Sequence, residues 1–441
     1  MTRNKTLKQK SIIRLITSMA LAMILMFSTA QAAFAADYAE GTKDKPAEAK
    51  ITKVLKMPAG TSTPKAGFSF KFDALEVDGV KATDTNMPVI PERKVTFDGD
   101  EKDYGSGGVK MVFKETINII DGVKWTHAGV YEYKVTEVPG TYSTPTGVNY
   151  KDTMIDSKAS YYIKVYVVNK SDNSDEVYVQ YITAHMIQND NGTTLNEASK
   201  VDPTPGNPLK DGDHSKLIFT NFYLKITGGD DPTDPKQTVL EISKTVTGTM
   251  GDHSKYFKFN VTITSPEVGA ADGEKYKAYV VEDIKGVDTI ATSKDNGIFS
   301  GPDNIGQYIE FTSGTVRTVS LKHGQRLAFV GLPVGTSFTV TEEAVAEYKA
   351  SCVLILDGTT PEEFKNDTYE TKLEIKESTI GEAKNSAAFT NDHKDVTPTG
   401  IGVDDLPYII LIAFIAIMLA GFIVYGISRN AVKNTRRDAE I

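Results

Sequence analysis

Tyr131-Glu132-Tyr133-Lys134-Val135-Thr136-Glu137 alternates apolar and polar side chains at every step until its last member. In a β-strand, residues i and i+2 share a face. Tyr131, Tyr133 and Val135 therefore form an apolar face, Glu132, Lys134 and Thr136 a wet one, and Glu137 falls on the apolar side. Phe338-Thr339-Val340-Thr341-Glu342 repeats both the pattern and the exception. Lysines break the rule in the same way: Ile51-Lys53-Leu55 and Leu240-Ile242-Lys244-Val246 each carry a lysine on an apolar face. Asparagines do so in Leu217-Phe219-Asn221 and Ala387-Phe389-Asn391. An isolated buried ammonium or carboxylate is too costly to keep without partners. Lys53, Glu137 and Asn221 are thus expected to meet in one half of the chain, and Lys244, Glu342 and Asn391 in the other.

Strand patterns dominate the rest. Phe68-Ser69-Phe70-Lys71-Phe72, residues 162–167 and residues 177–181 read as strands, and the polar run 169–175 turns the last two into a hairpin. Residues 256–263, 327–330 and 337–341 do the same in the second half. Long helical periodicity is absent from both halves. The expectation is an all-β fold of two tandem immunoglobulin-like β-sandwich domains, residues 36–226 and 238–394, joined by a linker at 227–237. The linker has the composition of a turn-rich connector, Thr227-Gly228-Gly229-Asp230-Asp231-Pro232-Thr233-Asp234-Pro235. Both halves present their landmarks in one order: I-x-K, an F-x-F strand, aromatic-x-V-T-E, then F-T-N. That is an internal repeat too long for a solenoid.

The ends of the 441-residue chain place it outside the cytoplasm. Arg3, Lys5, Lys8, Lys10 and Arg14 precede an apolar run at 16–27, and Ala33-Phe34-Ala35 supplies small residues for cleavage between Ala35 and Ala36. Residues 1–35 read as a signal peptide, with a retained anchor as the alternative. Residues 408–427 are apolar and uncharged, long enough to cross a hydrocarbon core of about 30 Å. Residues 406–428 read as a transmembrane segment, and the basic tail 429–441, with Arg429, Lys433, Arg436 and Arg437, holds that end in the cytoplasm. A net charge of −9 without a polybasic patch argues against a nucleic-acid partner. Cys352 is the only cysteine, which excludes intramolecular disulfides.

Burial lowers a lysine pKa and raises a glutamate pKa. The lysine becomes a neutral amine, a nucleophile, and a protonated glutamate can donate to the asparagine side-chain carbonyl and make its carbon electrophilic. Attack with loss of ammonia would leave an intramolecular isopeptide bond, with Glu137 and Glu342 as autocatalytic groups and no cofactor or metal required. Either set alone is also satisfied by a buried Lys–Glu ion pair with a hydrogen-bonded asparagine; two sets in one order, in a surface protein without disulfides, favour the bond. Other features carry less. Asp172-Asn173-Ser174-Asp175 and Asp230-Asp231 lack EF-hand spacing. Cys352 and Trp125 read as core residues, and no H-E-x-x-H, G-x-S-x-G or P-loop motif points to a conventional enzyme.

The I-x-K, V-T-E and F-T-N landmarks resemble those of the isopeptide-forming pilin domains of Gram-positive, sortase-assembled pili. The first half resembles an FctA-type pilin domain, and the second is similar to Cna-B-like pilin domains, with Gly331-Leu332-Pro333-Val334-Gly335 ahead of its glutamate strand. The resemblance implies Lys53 bonded to Asn221 under Glu137, and Lys244 bonded to Asn391 under Glu342. Val396-Thr397-Pro398-Thr399-Gly400, before the apolar span and basic tail, resembles a sortase sorting signal, departs from the common LPxTG form and is closer to variants ending in V-P-T-G. A Pro-rich stalk is the alternative. Sortase would cut after Thr399 and pass its carbonyl to an amine, and the resemblance implies an exposed acceptor lysine late in the first domain, Lys216 in preference to Lys210. The expected role is a structural pilin subunit on the cell wall, not an enzyme. Its expected partners are sortase, other pilin subunits, peptidoglycan, the membrane before processing, and a host ligand. A monomeric wall-anchored adhesin is the alternative.

Overall fold

In the computed structural model, residues 37–146, 150–171, 175–268, 273–394 and 406–437 are described, the last segment with side chains at 407–425. The signal-peptide reading, with Ala35 and Ala36, and the sorting motif Val396, Thr397, Pro398, Thr399 and Gly400 lie outside them. Among the described residues the chain divides into two compact units, one made of residues up to 57, 62–145 and 153–223, the other of 58–61, 146, 150–152 and those from 224 onward. Both are built from strands.

In the first unit, the strands Val177–Gln188, Ser160–Asn169, Gly129–Glu137 and Ala66–Val77 lie side by side in an eight-stranded sheet. A four-stranded sheet runs in the order Val109–Glu115, Thr52–Pro58, Ile218–Thr227, Tyr150–Ile155. The expected hairpin is present, with Val177 paired to Asn169. Ala66–Val77 returns into Val80–Lys81 through Asp78-Gly79, both at positive φ, which the tight primed turn of a hairpin requires. Tyr131, Tyr133, Val135, Phe68, Phe70, Tyr161 and Phe219 fill the core, and Trp125 packs against it.

In the second unit, a nine-stranded sheet carries Gln325–Phe329, Leu240–Thr247, Asn385–His393 and Tyr348–Ile355 in that order. A four-stranded sheet runs Val316–Leu321, Phe257–Thr264, Ser337–Glu342, Leu373–Thr379. Its core is lined by Phe257, Phe259, Phe338, Val340, Cys352 and Phe389.

The one-face-buried rule holds cleanly for Gly129–Glu137 and Leu240–Thr247. It fails for Thr52–Pro58, where Thr52 and Val54 are buried as well as Lys53 and Leu55. Thr52 is tolerated there because its Oγ1 donates to the Ser215 carbonyl at 2.9 Å, so the second face is covered without stranding a hydroxyl. In both units the first core strand pairs in parallel with the last: Thr52–Pro58 with Ile218–Thr227, and Leu240–Thr247 with Asn385–His393. The helix Leu406–Arg437 contains a stretch, Pro407–Tyr425, long and apolar enough to span a bilayer.

Candidate functional site

The parallel pairing sets the register of the buried polar residues. Phe219 lies opposite Lys53, which puts Asn221 beside Leu55, two residues along the same face. Phe389 lies opposite Lys244, which puts Asn391 beside Val246, the same offset. The glutamates come from the facing sheet, again in one register: Glu137 opposite Phe70 and Glu342 opposite Phe259. Even the aromatic surroundings recur. The ammonium of Lys53 lies 4.5 Å from the centre of the Phe68 ring and that of Lys244 lies 4.3 Å from that of Phe257. Phe70 meets Phe219 at 5.0 Å between ring centres, and Phe259 meets Phe389 at 5.1 Å. The sheets are exchanged, since the Lys–Asn pair lies on the smaller sheet of the first unit and on the larger sheet of the second.

Each set is shut off from water: Lys53 and Asn221 are 0% exposed, Glu342 0% and Lys244 1%. In the first unit Lys53 Nζ donates to Glu137 Oε2 at 2.6 Å and also to Asn221 Oδ1. Asn221 Nδ2 donates to Glu137 Oε1 at 2.7 Å and to Asp156 Oδ1 at 3.1 Å, while the Ser157 backbone N–H donates to Asn221 Oδ1 at 2.7 Å. The amide can be read one way only, because its oxygen meets two donors and its nitrogen two carboxylates. In the second unit Lys244 Nζ donates to Glu342 Oε1 at 2.8 Å. Glu342 Oε2 and Asn391 Oδ1 have no hydrogen-bond partner among the described residues.

Desolvation pulls the Lys53 amine down to about 8 against the opposing pull of Glu137, and Lys244 likewise to about 8 against Glu342. Desolvation also raises both glutamates, with the neighbouring lysine and asparagine pulling the other way. The two shifts converge. A proton can then pass from ammonium to carboxylate at little cost, leaving a neutral amine beside a carboxylic acid and a carboxamide. One detail differs from the sequence expectation. Glu137 does not face the Asn221 carbonyl; it bridges the lysine amine and the amide nitrogen, and the carbonyl is served by the Ser157 N–H. Asp156 and Ser157 carried no signal in the sequence, where an Asp-Ser pair reads as a turn.

The two candidate acceptor lysines differ. Lys216 is half-buried, with its ammonium donating to the Pro208 carbonyl. The Lys210 side chain is 72% exposed and pairs loosely with Asp213 at 3.4 Å. Cys352 is buried opposite Phe389 on the strand beside Asn391, and burial pushes its thiol up to about 12.

Residues 49–224 match the family described as "Spy0128-like isopeptide containing domain" (FctA), and residues 238–393 match "Domain of unknown function (DUF7601)". A "Pilin" of Streptococcus pyogenes serotype M1 is 26% identical over 404 residues, 89% of this chain and 95% of that protein. These matches support a structural pilin subunit, with the FctA match lying in the first half of the chain. The match to the "Pilus tip adhesin Cpa" of Streptococcus pyogenes is more local, 30% identity over 175 residues, 39% of this chain and 19% of that protein. The crystal structure of the major pilin from Streptococcus pyogenes aligns with 78% of this chain and 99% of that chain, at 18% identity and a TM-score of 0.31. The structure is all-β as expected, and the pilin relatives support a cell-surface pilus and association with other pilin subunits. The triad residues of the FctA domain all fall inside the matched segment.

Proposed function

We propose that the three buried side chains of each unit condense, Lys53 with Asn221 and Lys244 with Asn391, and that a sortase links the locked subunits into a covalent fibre on the Gram-positive cell wall. The observation that carries this is the coincidence of register: amine, carboxyl and carboxamide recur in both units at the same strand offsets, over the same aromatic pair, away from water. An ion pair needs only two of those groups, and its desolvation cost makes it a weak source of stability. A condensing triad needs all three.

In each unit, glutamate takes a proton from the lysine ammonium, and the free amine attacks the side-chain carbon of asparagine. The new C–N bond forms as the carbonyl pair moves to oxygen. The old C–N bond breaks as the oxygen pair re-forms the carbonyl and glutamate returns that proton to the departing nitrogen; ammonia leaves, and glutamate takes up the second proton of the new amide nitrogen. The bond joins neighbouring parallel strands at the two ends of the domain's sequence. If those strands carry the load between subunits, tension runs through covalent bonds and the sheet cannot unzip. The chemistry is intramolecular and turns over once.

Polymerisation would pass the Thr399 carbonyl to a lysine of the next copy, with Lys210 favoured over Lys216 by its exposure. The wall-linked fibre would support adhesion, with peptidoglycan at its base and a host ligand on its exposed loops. Co-expression with the cognate sortase tests this. An SDS-resistant ladder that disappears on replacing Thr399, and on Lys210→Arg or Lys216→Arg, is expected. A single wall-linked band with no ladder would instead make the chain a monomeric adhesin.

A further inference from the structure

We infer that Asp156 and the Ser157 backbone N–H form a second catalytic element of the first unit, one that the second unit lacks, so that the Lys53–Asn221 bond forms ahead of the Lys244–Asn391 bond. The inference rests on the condensation proposed above. It concerns where charge develops. As the amine attacks, negative charge collects on Asn221 Oδ1 and positive charge on the nitrogen that will depart as ammonia. Groups that bind those charges more strongly than they bind the neutral amide lower the barrier.

Both groups are in place. The Ser157 N–H lies 2.7 Å from Oδ1, the distance of an oxyanion donor. Asp156 Oδ1 lies 3.1 Å from Nδ2, on the leaving group itself. Asp156 thus stabilises the nitrogen as it gains a proton from Glu137, while Glu137 regains one from the lysine amine, so no further acid or base is consumed. The loop is fixed by its own bonds. Ser157 Oγ donates to Asp190 Oδ1 at 2.5 Å, and the same oxygen accepts the Thr220 N–H at 2.8 Å, tying the loop to the residue before Asn221. Asp156 Oδ2 accepts the Gly140 N–H at 2.7 Å, which orients the carboxylate from its other side. Preorganised donors of this kind cost no reorganisation at the moment of reaction.

The second unit differs at the same point of its otherwise repeated register. Asn391 Oδ1 has no hydrogen-bond partner among the described residues, so charge arising there meets no fixed donor. The lysine, glutamate and aromatic pair are alike in the two units; among the described residues, the donor to the asparagine carbonyl is not.

Cell-free synthesis of the full chain tests the inference, because each molecule starts unbonded. Samples taken over time are digested, and the crosslinked peptides 53–221 and 244–391 are counted by mass spectrometry for wild type, Asp156→Asn and Glu137→Ala. In wild type the 53–221 link is expected first. Asp156→Asn is expected to slow that link roughly tenfold or more while leaving 244–391 unchanged, and Glu137→Ala to abolish it. A wild-type 244–391 link that forms as fast as or faster than 53–221 overturns the inference without using a variant. So does an unchanged 53–221 rate in Asp156→Asn. Hydrogen exchange over Ser160–Asn169 reads the folding of the same samples, and a slowing accompanied by lost protection there also counts against it. A wild-type chain that never forms the 53–221 link refutes the condensation itself, a distinguishable result.

Discussion

Replacing Asn221 by alanine removes the electrophile of the first crosslink and leaves Lys53 and Glu137 as a buried pair. The link closes a loop of 168 residues of sequence separation. The chain-entropy relation used for disulfides assigns such a loop about 5 kcal/mol against the unfolded chain. The lost amide adds a smaller term, since the Ser157 N–H is left without its acceptor at about 1–3 kcal/mol. Glu137→Gln and Lys53→Met also prevent the bond but disturb different neighbours, so the loss common to all three variants isolates the crosslink. At about 2–4 °C per kcal/mol for a unit of this size, the shared part lowers the first unit's unfolding midpoint by about 10–20 °C. Calorimetry of the secreted region, with chemical denaturation to give free energies, is the assay. If Asn221→Ala unfolds within about 1 kcal/mol of wild type, no covalent loop is lost and the reasoning fails.

Other outcomes follow from the same geometry. In Asn221→Ala, Lys53 remains a titratable amine held at about 8 against an ordinary 10.5. A base with a lowered folded pKa leaves the unfolded chain holding more protons between those values, so the variant should gain roughly 3 kcal/mol between them as pH rises. Bonded wild type has an amide there and should lack the slope, which denaturation from pH 7.5 to 10.5 would reveal. Glu342→Ala should abolish the 244–391 link and leave 53–221 intact, as read by peptide mapping; retention of both would displace Glu342 from the chemistry. Cys352, 1% exposed and with its thiol pushed up to about 12, should resist alkylation at pH 8 until the second unit opens. Labelling should therefore be faster in Glu342→Ala than in wild type.

The fold and triads were legible because strands report themselves by period. Glu137, Glu342, Lys53 and Lys244 stood out as charges on faces otherwise given to Tyr, Phe, Val, Ile and Leu, and the repeat supplied the pairing of one set with the other. What sequence could not supply was register. The parallel pairing that offsets Asn221 from Lys53 by two residues is set by strands 168 positions apart, and no local pattern encodes it. The burial of Thr52 was hidden for a related reason: a strand covered on both faces loses its alternation, and it is the carbonyl and hydroxyl of Ser215 that satisfy the Thr52 hydroxyl. Ser157 acts through its backbone N–H, which every residue except proline carries. Asp156 sits on a strand-end turn where aspartate is common on local grounds alone. Such a residue becomes chemically meaningful only when the fold brings Asn221 to it.

The most direct test is the intact mass of the folded secreted region, residues 37–394. Two condensations remove two ammonia molecules, so the protein should weigh about 34 Da less than its residues sum to, with the deficit halved in Glu137→Ala and in Glu342→Ala and absent in the double variant. A folded wild-type sample at the full unbonded mass would mean that the buried groups only pair, and would contradict the account.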